Sequence, residues 1–266
     1  MRVDGGALLY AVVGNPIKHS LSPVFQNAAF ERLGLNALYA PLELPVETFE
    51  ETLRGLLKVS NFAGCNLTVP FKERVLALGD RLSEEVEKIG SANTLKKTPE
   101  GTVELYNTDW LGFLKHFSEL TDPKGKKVLV LGAGGTARAV VYALKRAGAR
   151  VWVWNRTPSK ARKLASDFGV AVADRPDPRG FDAVVNTTSV GMRPQDPPLF
   201  DYSLIEPGQV VYDVVYEKTP LVEEAKRRGA RAENGLKMLL YQGVESFKIW
   251  TGLEPPVGEL WKLLKE

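Results

Sequence analysis

A short apolar strand that runs into glycines and out again into an amphipathic helix leaves a chain few folds to choose from. Val128-Leu-Val-Leu131, the turn Gly132-Ala-Gly-Gly135 and the stretch Thr136 to Ala147 have that form. Parallel strands need a crossover, and a crossover helix packs back onto its sheet with one hand only, so strand, tight turn and helix together specify a βαβ unit. Ala137, Val140, Val141, Leu144 and Ala147 share one side of the helix, and a second strand, Val151 to Trp154, follows at the right distance. In such a unit Gly132 permits the tight turn and Gly134 lets the backbone approach a pyrophosphate at the helix N-terminus. Ala137 stands where a third glycine lets helix and strand pack closely. A G-x-G string alone also serves ordinary turns; the strand before it and the helix after it give it weight.

The same alternation of strand-length and helix-length segments runs through the whole chain and predicts an α/β protein with largely parallel sheets. Its 266 residues favour two modest domains, at roughly 150 residues per domain. In the first half we read strands Leu8 to Val13, Leu38 to Leu44 and Gly64 to Val69, with helices opening at Ser22 and Pro45. Ser22 is expected to cap its helix with Pro23 at the first helical position, Phe25, Ala28, Ala29 and Leu33 form the apolar face, and Gly34 ends it. A short strand pair, Ala92 to Leu95 and Val103 to Tyr106, precedes a helix from Thr108 to Leu120. After the βαβ unit come helix Pro158 to Phe168, strands Ala183 to Asn186 and Val210 to Tyr216, a helix after Pro220 closed by Gly229, and helices Leu236 to Thr251 and Gly258 onward. The expected division is residues 1–107 plus 236–266 as a first α/β domain and 108–235 as a Rossmann-like, doubly wound domain, the C-terminal helices returning to the first.

Composition excludes several classes. Hydrophobic residues make up 44% and charged residues 25%, so a core can be buried and the chain is neither disordered nor fibrous. Lys and Arg outnumber Asp and Glu only 35 to 32, without a polybasic run, so neither a nucleic acid nor a membrane is an expected partner. With Cys65 alone and His19 and His116 the only histidines, no metal site and no internal disulfide are expected, and a reducing, cytoplasmic home is.

The end of the second strand of the βαβ unit speaks to the cofactor. NAD sites usually carry Asp or Glu about 20 residues past the glycines, for the ribose 2′-hydroxyl. Here the chain has Asn155-Arg-Thr157, with Lys160 a helical turn on. An acid would repel a 2′-phosphate, whereas Arg156 can pair with it through two N–H groups, Thr157 can add a hydroxyl and Lys160 further charge, so NADP is the expected cofactor. In the first half, Ser20 and Ser22 flank a helix start, where an anion such as a carboxylate is favoured. Thr68 and Lys72 follow the third strand, where open α/β sheets place ligands, and Asn93 and Asp109 sit at further element ends. Read singly, these are a helix cap, a solvated lysine, a turn residue and a first-turn acid; together they suggest a polyol or hydroxy-acid site.

The strings Gly14-Asn-Pro-Ile-Lys-His-Ser-Leu-Ser-Pro23, Asn66-Leu-Thr-Val-Pro-Phe-Lys72, Gly90-Ser-Ala-Asn-Thr94 and Asn107-Thr-Asp109 are joined by four more. These are Gly132-Ala-Gly-Gly135, Asn155-Arg-Thr157, Asn186-Thr-Thr-Ser189 and Met238-Leu-Leu-Tyr-Gln242. In content and order they resemble the shikimate dehydrogenase family over nearly the whole chain. The resemblance implies an NADP-dependent enzyme that reversibly reduces 3-dehydroshikimate to shikimate on the way to chorismate and the aromatic amino acids, acting on its small-molecule substrate as a monomer or homodimer. It implies that Ser20, Ser22, Thr68, Asn93, Asp109, Tyr216 and Gln242 line the substrate site and that Lys72 and Asp109 are the catalytic pair. It also implies that Gly132, Ala133, Gly134, Gly135, Thr136, Asn155, Arg156, Thr157, Lys160, Val214 and Gly235 contact NADP. Family members usually carry Arg where this chain has Lys160, which loosens the grip on the 2′-phosphate. Two alternatives stand beside it: a quinate/shikimate dehydrogenase of broader specificity, and a non-catalytic NADP-binding regulatory protein, for which Lys72 and Asp109 together would have little use.

Overall fold

A computed structural model describes residues 3–193 and 195–265. The chain divides into two units: Met1–Thr108 with Leu240–Glu266, and Asp109–Leu239.

The first unit runs β1 (Leu8–Gly14), α1 (Ser22–Arg32), β2 (Ala37–Glu43), α2 (Phe49–Leu57), β3 (Phe62–Leu67), β4 (Arg81–Leu82), α3 (Glu84–Ile89), β5 (Thr94–Lys97) and β6 (Val103–Tyr106). Its sheet has the order β2-β1-β3-β5-β6-β4. β1 lies parallel to both β2 and β3, as the alternation predicted, but β5 returns antiparallel on β3 and β6 antiparallel on β5. Beneath β1 and β3 lies an apolar core that includes Val13, Phe49, Leu53, Cys65, Phe71 and Val86. Burial pushes the Cys65 thiol far up, so it stays protonated and serves as packing.

The second unit runs α4 (Asp109–Leu120), β7 (Lys127–Leu131), α5 (Gly135–Arg146), β8 (Arg150–Trp154), α6 (Pro158–Phe168), β9 (Ala171–Val172), β10 (Ala183–Asn186), β11 (Val210–Asp213), α7 (Pro220–Arg227) and β12 (Arg231–Glu233). Its sheet, β12-β11-β10-β7-β8-β9, is parallel throughout. The chain winds outward from β7 through β8 to β9, then jumps back to β10 on the other side of β7. The carboxyl ends of β7 and β10 therefore flank a topological switch point, where doubly wound sheets bind ligands. Val128 to Leu131, Ala137, Val140 and Val184 are fully buried, which is why these strands read as continuous apolar runs.

Two helices complete the chain, α8 (Leu236–Thr251) and α9 (Val257–Leu263). From Leu240 onward they belong to the first unit. There the Phe247 ring packs on Phe30 and the Trp250 ring on Tyr10, at centroid distances of 5.2 and 5.0 Å. Gln26 Nε2 donates to the Gly243 carbonyl at 2.9 Å, and a Cβ on Gly243 would stand 2.5 Å from the Phe25 ring, so only glycine fits against α1.

Three expectations need correction. Ser22 is not the cap of α1: Leu21 occupies that position in a near-helical conformation, no side chain caps the helix, and Ser22 is already helical. The buried face is Ser22, Phe25, Gln26, Ala29 and Phe30, with Ala28 and Leu33 only half-buried. The second helix opens at Phe49 and not at Pro45, because the intervening residues form a turn whose Val46 carbonyl accepts from Arg74. β11 stops at Asp213, three residues short of Tyr216, because the Asp213 carboxylate accepts from the Val215 N–H at 3.0 Å and turns the chain.

Candidate active site

In the first unit the ends of β1 and β3 lie together. The Thr68 N–H donates to the Val13 carbonyl at 2.9 Å, and a Cβ on Gly14 would meet Thr68 Cγ2 at 2.4 Å, so glycine lets Thr68 fold over the end of β1. Lys72, half-buried, follows, and its carbonyl accepts from the Ala92 N–H at 2.8 Å, fixing the lysine's backbone against the segment that carries Asn93. Ser20 Oγ accepts from the Ser22 N–H at 3.4 Å, a long bond.

A buried polar network joins several of these positions. The Ser22 hydroxyl bonds the Tyr39 phenol, whose ionisation burial pushes well out of range, so it remains an O–H donor. Tyr39 donates to Asn66 Oδ1 at 2.7 Å; Asn66 Nδ2 donates to the Asn93 carbonyl at 3.0 Å and to Ser246 Oγ on α8 at 2.9 Å. Asn93 Nδ2 in turn donates to Gln242 Oε1 at 3.0 Å and to Thr108 Oγ1 at 2.9 Å, and Asn93 Oδ1 accepts from the Thr108 N–H at 2.7 Å. The structure thus brings Asn93 and Gln242 into contact and ties Ser22 to them through Tyr39 and Asn66. Sequence reasoning missed Tyr39, Thr94 and Ser246. Their signal was faint: Tyr39 and Ser246 are single polar groups inside largely apolar stretches, and Thr94 closes the string Gly90-Ser-Ala-Asn-Thr94 with nothing to set it apart.

In the second unit Asp109, buried, opens the first turn of α4. Gly132 follows β7 with φ of +118°, a conformation that favours glycine, and a Cβ there would stand 2.3 Å from Thr187 Oγ1. Its N–H donates to the Trp154 carbonyl at 2.8 Å, joining the turn to the end of β8. Gly134 is the cap residue of α5, and a Cβ on it would meet nothing within 4 Å, so the start of the helix is open to an approaching phosphate. Ala133 completes the turn, and Gly135 and Thr136 open α5. Past β8, Asn155 Nδ2 donates to the Thr157 carbonyl at 3.0 Å and so shapes the loop, while Arg156, Thr157 and Lys160 are exposed. Among the described residues no carboxylate pairs with Arg156 or Lys160. A glycine-lined helix start followed by uncommitted cations fits a nucleotide with a 2′-phosphate.

Val214, Tyr216 and Gly235 meet at the exit of β11. The Gly235 N–H donates to the Val215 carbonyl at 3.0 Å, and a Cβ on Gly235 would lie 2.1 Å from the Val214 carbonyl oxygen, so Gly235 allows the two backbones to touch. Asn234 Nδ2 donates to the Tyr216 carbonyl at 3.2 Å. Burial raises the Tyr216 phenol above its ordinary value. His116 lies apart from these groups, with Nδ1 2.9 Å from the Tyr212 hydroxyl, and burial pulls its pKa down to about 4, so it is a neutral core histidine. Among the described residues no three His, Cys, Asp or Glu side chains cluster as metal ligands, and no helix is long and apolar enough to cross a membrane.

A six-stranded parallel sheet wound outward in both directions from a glycine turn, preceded by a mixed α/β unit with its own polar strand ends, defines a two-unit α/β protein of the Rossmann class. Family profiles match along the chain: the shikimate dehydrogenase substrate binding domain over residues 12–95, shikimate / quinate 5-dehydrogenase over 115–177, and the shikimate 5′-dehydrogenase C-terminal domain over 235–265. Shikimate dehydrogenase (NADP(+)) of Aquifex aeolicus is 47% identical over 257 residues, which cover 96% of this chain and 95% of that one. The crystal structure of shikimate dehydrogenase from Aquifex aeolicus superposes with a TM-score of 0.96, at 44% identity, over all of both chains. Shikimate 5-dehydrogenase of Thermus thermophilus, solved in complex with NADP(H) and shikimate, superposes with a TM-score of 0.88 at 38% identity, over 97% of this chain and 98% of that one. The chain belongs to the shikimate dehydrogenase family.

Proposed function

We propose that this chain is an NADP-dependent shikimate dehydrogenase, reversibly reducing the ring ketone of 3-dehydroshikimate to the alcohol, a step of the route to chorismate and the aromatic amino acids. The observation that carries the reading is 47% identity to an NADP(+)-dependent shikimate dehydrogenase over nearly the full length of both chains. NADPH, when bound, supplies the hydride. Gly132 to Thr136 cradle its pyrophosphate, Asn155, Arg156, Thr157 and Lys160 hold the 2′-phosphate, and Val214 and Gly235 flank it. Ser20 and Ser22 hold the substrate carboxylate, and Thr68, Asn93, Tyr216 and Gln242 line the rest of the ring. Lys72 delivers a proton to the developing alkoxide oxygen and takes it back in the reverse direction; Asp109 orients Lys72 and the substrate hydroxyl. The fixed Asn93–Gln242 pair supports this reading, since a polyol is told from its analogues by polar groups already held in place. The single reduced cysteine supports a cytoplasmic setting.

The experiment is direct. Absorbance of NADPH formed from NADP+ is followed with shikimate and with quinate, and the pair is repeated with NAD+. Shikimate with NADP+ is expected to be turned over fastest. No NADPH from shikimate would overturn the assignment; equal efficiency with quinate would move it to the broader quinate/shikimate enzyme.

A further inference from the structure

The carboxyl group of Asp213 ends β11 completely buried, and the function proposed above gives it no task. Its place in the sheet is informative. Asp213 lies opposite Asn186 in the pairing of β11 with β10, and Asn186 lies opposite Leu131, the residue before Gly132, in the pairing of β10 with β7. Asp213 accepts three hydrogen bonds: from Asn186 Nδ2 at 2.9 Å, from the Val215 N–H at 3.0 Å and from Thr219 Oγ1 at 2.8 Å. Each leads into a loop at the carboxyl edge of the sheet. Asn186, fixed by the carboxylate, uses Oδ1 to accept from the Thr188 N–H at 2.9 Å and from the Thr188 hydroxyl at 2.7 Å, and its Nδ2 also reaches the Val190 carbonyl at 3.2 Å. Thr219 Oγ1 accepts from the Val222 N–H at 3.3 Å, which caps α7. The Val215 bond sets the turn on which Val214 and Tyr216 are carried.

Among the described residues no cation pairs with Asp213, and a buried anion without a counter-ion is expensive to keep. An apolar residue would close the same space without that cost. What an apolar residue cannot do is accept from three donors that belong to two different loops.

We propose that Asp213 is a positioning residue for the cofactor end of the second unit: through Asn186, Val215 and Thr219 it locks the loop of residues 187–191 and the turn of residues 214–219 in a single arrangement. This rests on the function proposed above only for what the two loops hold. Burial raises the Asp213 carboxyl to about 6. The titratable groups that feel its charge, the phenols of Tyr202 and Tyr212, are themselves raised and stay neutral there. Protonation removes the charge that strengthens all three bonds and puts a hydrogen where the Thr219 hydroxyl donates, so that hydroxyl must give up its bond and turn to accept, and the lock loosens as pH falls through about 6.

Hydrogen exchange on the full chain, corrected for intrinsic rates, tests the lock without reference to turnover. In Asp213→Asn, protection at Thr188, Val190 and Val215 should fall about tenfold, because the amide oxygen lacks the charge that strengthens its bonds and the amide nitrogen cannot accept from Thr219, while the amides of β7 keep theirs. Wild type should lose the same protection between pH 7 and pH 5. In parallel, the wild-type kcat/KM for shikimate oxidation should show an acid limb near pH 6 that is missing in Asp213→Asn. If Asp213→Asn does not fold, Thr219→Val keeps the carboxylate and removes one donor; it should move the limb to higher pH and weaken Val215 protection. Protection unchanged in whichever variant folds, or an acid limb unchanged by it, overturns the positioning role. Absence of shikimate turnover in wild type would count against the function proposed above and not against the lock, which exchange decides on its own.

Discussion

Replacing Asn66 by alanine removes the residue through which Tyr39, Asn93 and Ser246 are joined. The Tyr39 hydroxyl, which donated at 2.7 Å, then loses its buried acceptor, whereas the Asn93 carbonyl, which accepted at 3.0 Å, keeps the Leu67 N–H at 2.8 Å. The Thr94 and Ser246 hydroxyls still have each other at 2.8 Å, so they add little. A stranded buried group costs about 1–3 kcal/mol, which puts Asn66→Ala at about 1–3 kcal/mol, a sizeable part of a typical folding free energy of about 5–15 kcal/mol. Tyr39→Phe alone should cost about 1–3 kcal/mol by stranding Asn66 Oδ1. In the Asn66→Ala background the phenol is already stranded, so removing it should cost nearly nothing or restore stability. Urea unfolding followed by tryptophan fluorescence, with Trp250 in the same unit, gives the four free energies of the cycle. A coupling of at least about 1 kcal/mol is expected; additivity within about 0.5 kcal/mol would show that the two side chains do not act through one another and refute the network as drawn.

Three further outcomes follow from other parts of the molecule. Arg156→Ala should lower kcat/KM for NADP+ by roughly ten- to a hundredfold and leave NAD+ nearly untouched, since a charge-assisted pair contributes about 1.5–3 kcal/mol; steady-state kinetics with both nucleotides decide, and equal losses would contradict 2′-phosphate recognition. Lys72→Ala and Asp109→Asn should each lower kcat by about 10² to 10⁴, and the double variant should fall short of the product of the two effects, with NADP binding by fluorescence titration near wild type; multiplicative losses would mean that the residues do not work as a pair. Because burial holds His116 near 4, its unfolded form takes up a proton first as pH falls below its ordinary value of 6.5. The stability it contributes is therefore full above 6.5 and lost progressively down to about 4, while raised Asp213 acts with the opposite sign between 3.8 and about 6. Relative to wild type, His116→Gln should gain melting temperature as pH falls from 6.5 to 4, because Asp213 acts equally on both proteins, and a constant difference over that range would rule His116 out as a source of pH dependence.

The parts of the fold that the sequence displayed are those where apolar periodicity and end signals coincide. Strand Ala183 to Asn186, helix Pro158 to Phe168 and helix Leu236 to Thr251 lie where the pattern put them. Short elements escaped. α3 carries a capping Ser83, three glutamates in its first turn and Gly90 in the left-handed conformation after it, yet its six residues are too few for a helical period to emerge. β4 and β9, of two residues each, have no pattern of their own and exist through their neighbours. Ser22 and Asp213 failed for a common reason. Ser22 reads as a cap and Asp213 as a residue inside strand Val210 to Tyr216, and only tertiary contacts decide otherwise: Tyr39 engages the serine hydroxyl, and three donors converge on the aspartate and end the strand. For the site, the motif strings supplied candidate residues, but that Asn93 meets Gln242 across 149 positions is a fact of the fold alone.

The passage of α8 from Leu239 in the second unit to Leu240 in the first sets an order of events during synthesis. All of Asp109–Leu239 leaves the ribosome before the segment that completes the older part of the chain. Until Phe247 and Trp250 emerge, the stacked Phe30 and Tyr10 rings lack the two rings that pack on them from α8, and the Gly243 seat beside Phe25 stands open to water. The later-made unit therefore finishes first, and the earlier-made one waits with part of its apolar surface exposed. A stop codon soon after Leu239 yields a chain whose nucleotide half is whole and whose other half is a target for chaperones and proteases.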